Sequence, residues 1–143
     1  MRAAARVGPL GALMSPIAAA IAVAVGGALG ALVRWWLGSV LNAAYEPLPP
    51  GTLLVNVAGG WLIGVGLAWL SARPDVPEAW RLLAITGFLG GLTTFSTFSA
   101  EAVALLMQGR LGAMALHVGA HTAGSLAATV LGLWMARGWF ARA

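Results

Sequence analysis

Cysteine and lysine are both missing from this 143-residue chain, and charge of either sign is scarce: eight arginines and four acidic residues make up 8% of it. Without cysteine there is no disulfide, no thiolate nucleophile and no cysteine-ligated metal. A soluble domain carries about 25% charged residues, so 8% charged against 60% hydrophobic excludes an ordinary soluble one. The arginines never cluster, and a net charge of +4 spread this way offers no basic patch to nucleic acid. No paired nucleophile and base and no cofactor motif appears, which leaves an enzyme without support.

What the chain does have is length without charge. Four runs, Val7–Val33, Pro47–Ala72, Leu82–Ala100 and Leu111–Ala136, hold no ionisable acid, arginine or lysine. A helix crosses a hydrocarbon core with roughly 20 apolar residues, so each run is sufficient for one crossing. The sequence predicts a single all-α membrane domain over residues 1–143, with helices at about 16–39, 51–71, 79–108 and 111–136. Ser15-Pro16 supplies an N-cap and a first helical position. Asn42, Pro47, Pro49 and Pro50 mark the first loop, and Arg73-Pro74-Asp75-Val76-Pro77-Glu78 the second. Connections this short make successive helices antiparallel neighbours. The opening stretch from Met1, with Arg2 and Arg6 before its apolar run, also resembles a secretory signal. Its apolar part outruns the 7–15 residues of a signal core and three more apolar segments follow, which favours a first span.

Small residues recur four apart at Gly26/Gly30, Gly60/Gly64 and Gly87/Gly91. Lipid gives helices no hydrophobic drive to associate, so close backbone approach at such positions is how a small bundle holds together. Four spans place both termini on one side. Arg2, Arg6, Arg73, Arg81, Arg137 and Arg142 fall on that side and Arg34 and Arg110 on the other, which favours cytoplasmic termini. The bias shrinks to four against two if the natural start is Met14.

The run Gly87-Phe88-Leu89-Gly90-Gly91-Leu92-Thr93-Thr94-Phe95-Ser96-Thr97-Phe98-Ser99 is poor helix-forming sequence, with three glycines and then five hydroxyl residues. It predicts a helix break near 87–94. Freed backbone groups at membrane depth are tolerated only inside protein or along a cavity or ion site. Other intramembrane polar residues are few: Asn56 in the second segment, and His117, His121, Ser125 and Thr129 on one stripe of the fourth. A histidine pair at i and i+4 also suits a metal. Here it lacks the glutamate of a metalloprotease helix, and no third ligand is evident. Glu101 is expected to pair at a helix end, and Arg34 to snorkel or draw anions to a pore mouth. Amides, hydroxyls, imidazoles and the positive edges of Phe95 and Phe98 suit an anion, with no acidic ring for cations. Nothing in the periodicity names the ion.

At these residues the chain resembles the small bacterial fluoride channels of the Fluc (CrcB) family. The resemblance rests on Gly-Ala-Leu-Val-Arg ending at Arg34, on Gly51-Thr52-Leu53-Leu54-Val55-Asn56, on Gly87–Phe98 followed by Glu101, and on Gly124-Ser125. It covers about residues 17 to 137. It implies passive fluoride export across the bacterial inner membrane by an antiparallel, dual-topology homodimer with two pores. It implies pore-facing Phe95 and Phe98, with Asn56, Ser96 and Thr97 beside the anion path and a polar track at His117, His121 and Ser125. It also implies a vestibule at Arg34 and a sodium ion on the dimer axis, held by the main-chain carbonyls of Gly90 and Thr93. The two histidines depart from a hydroxyl-rich track, and the arginine bias departs from the near balance that accompanies dual topology.

Two other readings stay open at this level. A proton-coupled small multidrug exporter has this size, although it wants a carboxylate in the first helix, where this chain has none. A non-transporting assembly subunit would use the glycines for partner helices alone.

Overall fold

The computed structural model describes residues 14–42 and 48–140. Helix α1 (Pro16–Leu41) starts behind Ser15, whose hydroxyl accepts from the Ala18 N–H at 3.2 Å. Pro16 takes a first-turn position, where a missing N–H costs nothing. Helix α2 (Pro50–Ala72) also begins on proline and has no cap from its own N-cap side chain. Its cap comes from the end of α1: Asn42 Oδ1 accepts from the N–H groups of Gly51 (2.7 Å) and Thr52 (3.3 Å).

A helical rod then runs from Glu78 to Leu92, made of α3 (Glu78–Arg81), a π-helical stretch (Leu82–Leu89) and α4 (Gly90–Leu92). Thr93 and Thr94 leave helical geometry, with ψ of 156° and 119°. Helix α5 (Phe95–Met107) follows. It ends at Gly109, whose φ of 70° lets the Arg110 N–H turn back to the Leu105 carbonyl at 3.0 Å. Helix α6 (Leu111–Phe140) completes the described chain.

Three stretches, residues 16–41, 50–72 and 78–107, are long and apolar enough to cross a membrane, and this is a multi-pass membrane protein. Helix α6 has 30 residues but is not among the three spans found in the described residues. His117, His121, Thr122, Ser125 and Thr129 dilute its apolar sequence. Arg2, Arg6 and Arg142, which carry much of the arginine bias, lie outside the described residues.

The helices associate as pairs: α1 with the rod from Leu82 to Leu92, and α2 with α6. Glycine makes both seams. A methyl group built on Gly26 or Gly30 would run into the backbone of Leu83 and Phe88 respectively, and one on Gly91 into Gly27. Across the second seam, a methyl on Gly64 would strike the Thr129 backbone and one on Gly132 that of Trp61. Gly87, Gly90 and Gly91 are therefore helical, and the first and last of them seat α1, because close packing there outweighs their poor helix propensity. Helical geometry stops two residues later, at the threonines. The change is also one of neighbour: the rod before it packs on α1, whereas α5 packs on α6.

The burial pattern departs from that of a water-soluble domain in its large exposed apolar side chains and its buried polar ones. Ile17, Leu126, Trp134 and Trp139 are each more than two-thirds exposed, while Thr52, His117 and His121 are at 4%, 0% and 3%. Apolar side chains face the acyl chains, and polar ones meet in the centre.

Candidate functional site

Thr52 and Asn56 stand one turn apart on α2 and organise everything around them. Asn56 Oδ1 accepts from the Thr94 N–H (2.8 Å), and Asn56 Nδ2 donates to the Thr94 carbonyl (3.0 Å). Because a backbone N–H can only donate, the atom facing it must be the amide oxygen, which fixes the orientation of the whole side chain. The same Nδ2 lies 3.1 Å from His121 Nδ1. An amide nitrogen can only donate, so Nδ1 accepts, and the hydrogen of the neutral imidazole sits on Nε2. Nε2 is buried and has no hydrogen-bond partner among the described residues. Both amide hydrogens of Asn56 are thus engaged, and the donor left over belongs to His121.

Thr94 also caps α5. Its Oγ1 accepts from the Thr97 N–H at 3.1 Å and sits 3.1 and 3.2 Å from the hydroxyls of Thr97 and Ser96. These bonds draw two amides away from their helical acceptors. Thr94 N–H, which would serve the Gly90 carbonyl in a continuous helix, goes to Asn56, and Thr97 N–H, which would serve Thr93, goes to Thr94 Oγ1. A third carbonyl, Gly91, accepts from Arg34 Nε at 3.0 Å.

Glu101 lies within α5, and the expectation of a pair at a helix end is corrected here. Its Oε1 accepts from the Thr52 hydroxyl at 2.7 Å, and Oε2 is 3.6 Å from His117 Nε2. Asn42 Nδ2 donates to the same Thr52 oxygen at 3.2 Å. His117 Nε2 also lies 3.3 Å from the Phe98 carbonyl. The aromatic rings form one cluster, in which one pair is stacked and the others are tilted. Phe98 lies on His117 with centroids 5.4 Å apart and planes 12° from parallel, and it meets His121 at 4.9 Å and Phe95 at 5.4 Å. With its face against His117, Phe98 has an edge left to offer.

Two hollows flank the Asn56–Thr94 clamp, and Thr94 lines both. A groove of about 590 Å³ gathers Asn56, Gly90, Thr93, Phe95, Phe98, His121 and Ser125. A smaller hollow of about 260 Å³ gathers Arg34, Asn42, Thr52 and Thr97. Of the residues singled out from sequence, His117 lines neither and lies under Phe98, and Ser96 is exposed at the start of α5. Thr52, Thr94 and Asn42 are noted in the sequence only as parts of motifs or of a loop, without a role at the site. The signal for the first was its place four residues before Asn56. For Thr94 and Glu101 it was their common spacing with Phe98, which sets all three on one face of α5.

Residues 21–133 match the family described as CrcB-like protein, Camphor Resistance (CrcB). A protein of Pseudomonas aeruginosa (strain UCBPP-PA14) named "Fluoride-specific ion channel FluC" is 55% identical over 114 residues, 80% of this chain and 90% of its own length. Its namesake in Tolumonas auensis is 53% identical over 117 residues, 79% of this chain and 89% of the relative. Another, in Chromobacterium violaceum, is 50% identical over 121 residues, 82% and 96%. The match takes in the clamp, the ring cluster, both hollows and the polar stripe of α6, and the chain belongs to the CrcB family.

Proposed function

We propose that this chain is a passive, fluoride-selective channel of the bacterial cytoplasmic membrane. In this reading α6 is a fourth span, the third span is interrupted at Thr93 and Thr94, and two antiparallel copies of dual topology enclose two pores. The observation that carries it is the groove. Relatives named as fluoride-specific channels match across about four-fifths of this chain, and the groove's lining suits an anion: a spare imidazole N–H, hydroxyls and ring edges, without a carboxylate.

Fluoride is small and firmly hydrated, so a path for it must replace water with donors at every step. The Arg34 guanidinium and the Thr97 hydroxyl serve the first hollow. His121 Nε2–H and the Ser125 hydroxyl serve the groove, with Phe95 and Phe98 presenting edges between them. Asn56 contributes by position. It holds Thr94 in place and holds His121 in the tautomer that leaves the Nε2–H free to donate. His117 supports Phe98 from beneath, and the exposed Ser96 hydroxyl stands beside Thr94 at the start of α5.

The resemblance also implies sodium at Gly90 and Thr93. The residues fit it: these two carbonyls are the ones whose helical amides have gone elsewhere, and hard cations take carbonyl oxygen. When bound, the ion would neutralise the carbonyl ends at the interruption. A second copy is supported by the open side of the groove. Phe95 is 78% exposed there, and a methyl on Gly90 would meet nothing within 4 Å. Polar backbone left open to lipid is costly, and an antiparallel copy would cover it.

The test is anion efflux from liposomes that contain only this protein. Fluoride should leave freely and chloride, which is larger and holds its water less tightly, should be retained. Equal permeation of the two removes the selectivity, and no permeation of either removes the channel.

A further inference from the structure

His117 and His121 face the same way from successive turns of α6, with ring centroids 4.4 Å apart, and both are almost wholly buried. Glu101 reaches them from α5. One donor atom from each of the three side chains lies within 4.8 Å of the other two. Two further observations bear on what the cluster holds. Glu101 Oε2, His117 Nδ1 and His121 Nε2 are all buried with no hydrogen-bond partner among the described residues. Such orphaned groups are costly and call for a partner; one ion held among the three side chains would engage Glu101 Oε2 and His121 Nε2, while His117 would give Nε2, the nitrogen beside Glu101. The donor set, two imidazoles and a carboxylate, is unlike the carbonyl set at Gly90 and Thr93.

We propose that Glu101, His117 and His121 form a binding site for a first-row transition ion of the Zn(II) type. Imidazole with carboxylate is the ligand chemistry of Zn(II), Co(II) and Ni(II), whereas alkali and alkaline-earth ions take oxygen alone. The arrangement is a three-ligand site with one open position. Tetrahedral Zn(II) with N and O ligands at about 2.0–2.1 Å sets those ligands about 3.3 Å apart. His117 Nε2 and Glu101 Oε2 are already at 3.6 Å, and His121 offers a donor atom within 4.8 Å of the set. The ion takes His121 at the cost of its contact with Asn56, and His117 Nε2 at the cost of its contact with the Phe98 carbonyl, the imidazole hydrogen moving to Nδ1. The carboxylate remains held by the Thr52 hydroxyl, which orients its free oxygen toward the histidines.

Occupancy has a consequence for conduction. The ion would immobilise His121, use up the nitrogen that serves the groove and put a divalent charge beside Phe98. Metal binding therefore blocks the path. The block, unlike the binding, rests on the pore reading above.

Tag-free full-length protein in detergent, titrated with Co(II), should show the visible absorption of a four- or five-coordinate N/O site, saturating at one ion per chain. Glu101→Gln and His117→Gln should each weaken binding by about tenfold or more. Thr122→Ala, a neighbour on α6 whose hydroxyl is bonded to the Val118 carbonyl, should bind as wild type does. His121→Cys should keep the ion and add a sulfur-to-cobalt charge-transfer band, which no packing role produces. Absence of a saturable Co(II) spectrum in the wild type overturns the site and leaves the fluoride reading intact. In liposomes, Zn(II) should slow fluoride efflux by about tenfold or more, with recovery on chelation. Bound metal with unchanged efflux keeps the site and overturns its place on the anion path.

Discussion

Asn56 has no hydrogen to spare, and that decides what its substitution does. In Asn56→Asp one oxygen still accepts from the Thr94 N–H, while the other replaces two donations and faces the Thr94 carbonyl. Each buried group left unpaired costs about 1–3 kcal/mol. Asn56→Asp should lower the melting temperature in detergent and cut fluoride efflux by about tenfold or more; normal efflux from well-assembled protein would take Asn56 out of conduction. The rings divide differently. Phe98 is 9% exposed and stacked on His117, whereas Phe95 is 78% exposed. Phe98→Ile should reduce both stability and flux, and Phe95→Ile should reduce flux alone, as calorimetry and efflux measured side by side will show. Asn56 stands out as a candidate in the sequence because it is a polar group in an apolar run, whereas the two rings are assigned to the pore by the resemblance. Their division of labour is not legible there. That Asn56 spends its donors on Thr94 and His121, or that Glu101 is third partner to a histidine pair, depends on contacts between α2, α5 and α6 that no spacing within one helix encodes.

At the level of elements, two devices shape the middle of the chain: the glycine seams and the threonine cap of α5. Gly64→Leu drives a side chain into the Thr129 backbone and should leave the protein aggregated or unfolded in detergent, as size-exclusion profiles will report. Gly119→Ala meets nothing within 4 Å and should be neutral, or stabilise α6 by up to about 1 kcal/mol. Thr94→Ala loses the cap oxygen at a cost of about 0.5–2 kcal/mol, which Thr94→Ser should restore. Helix positions follow from hydrophobic runs, prolines and caps, so they were readable. Helical geometry, expected to fail near 87–94, lapses at Thr93 and Thr94 and not at the glycines, because propensity is a local quantity and the backbone of α1 against which Gly87 and Gly91 pack is more than fifty residues away.

For the molecule as a whole, arrangement in the membrane is the property that a chain read alone expresses least. The arginine asymmetry argues for one orientation, but Arg34 spends its Nε on the Gly91 carbonyl and Arg81 bonds to the carbonyls of Pro74 and Val76, so neither is a plain loop charge. With no native cysteine, Ser71→Cys at the exposed end of α2 gives a clean reporter. Dual topology predicts labelling by an impermeant thiol reagent from both faces of the membrane, and labelling from one face alone rules it out. The seams carry one more consequence, a calorimetric one. The buried hydrophobic side chains among the described residues are few, and four of the eight are alanine or valine. Cohesion between helices therefore comes from backbone contact rather than from apolar area withdrawn from water. Heat capacity on unfolding follows newly hydrated apolar surface. In a micelle this protein should melt with a small heat-capacity step, so its stability curve should be shallow and nearly straight with temperature.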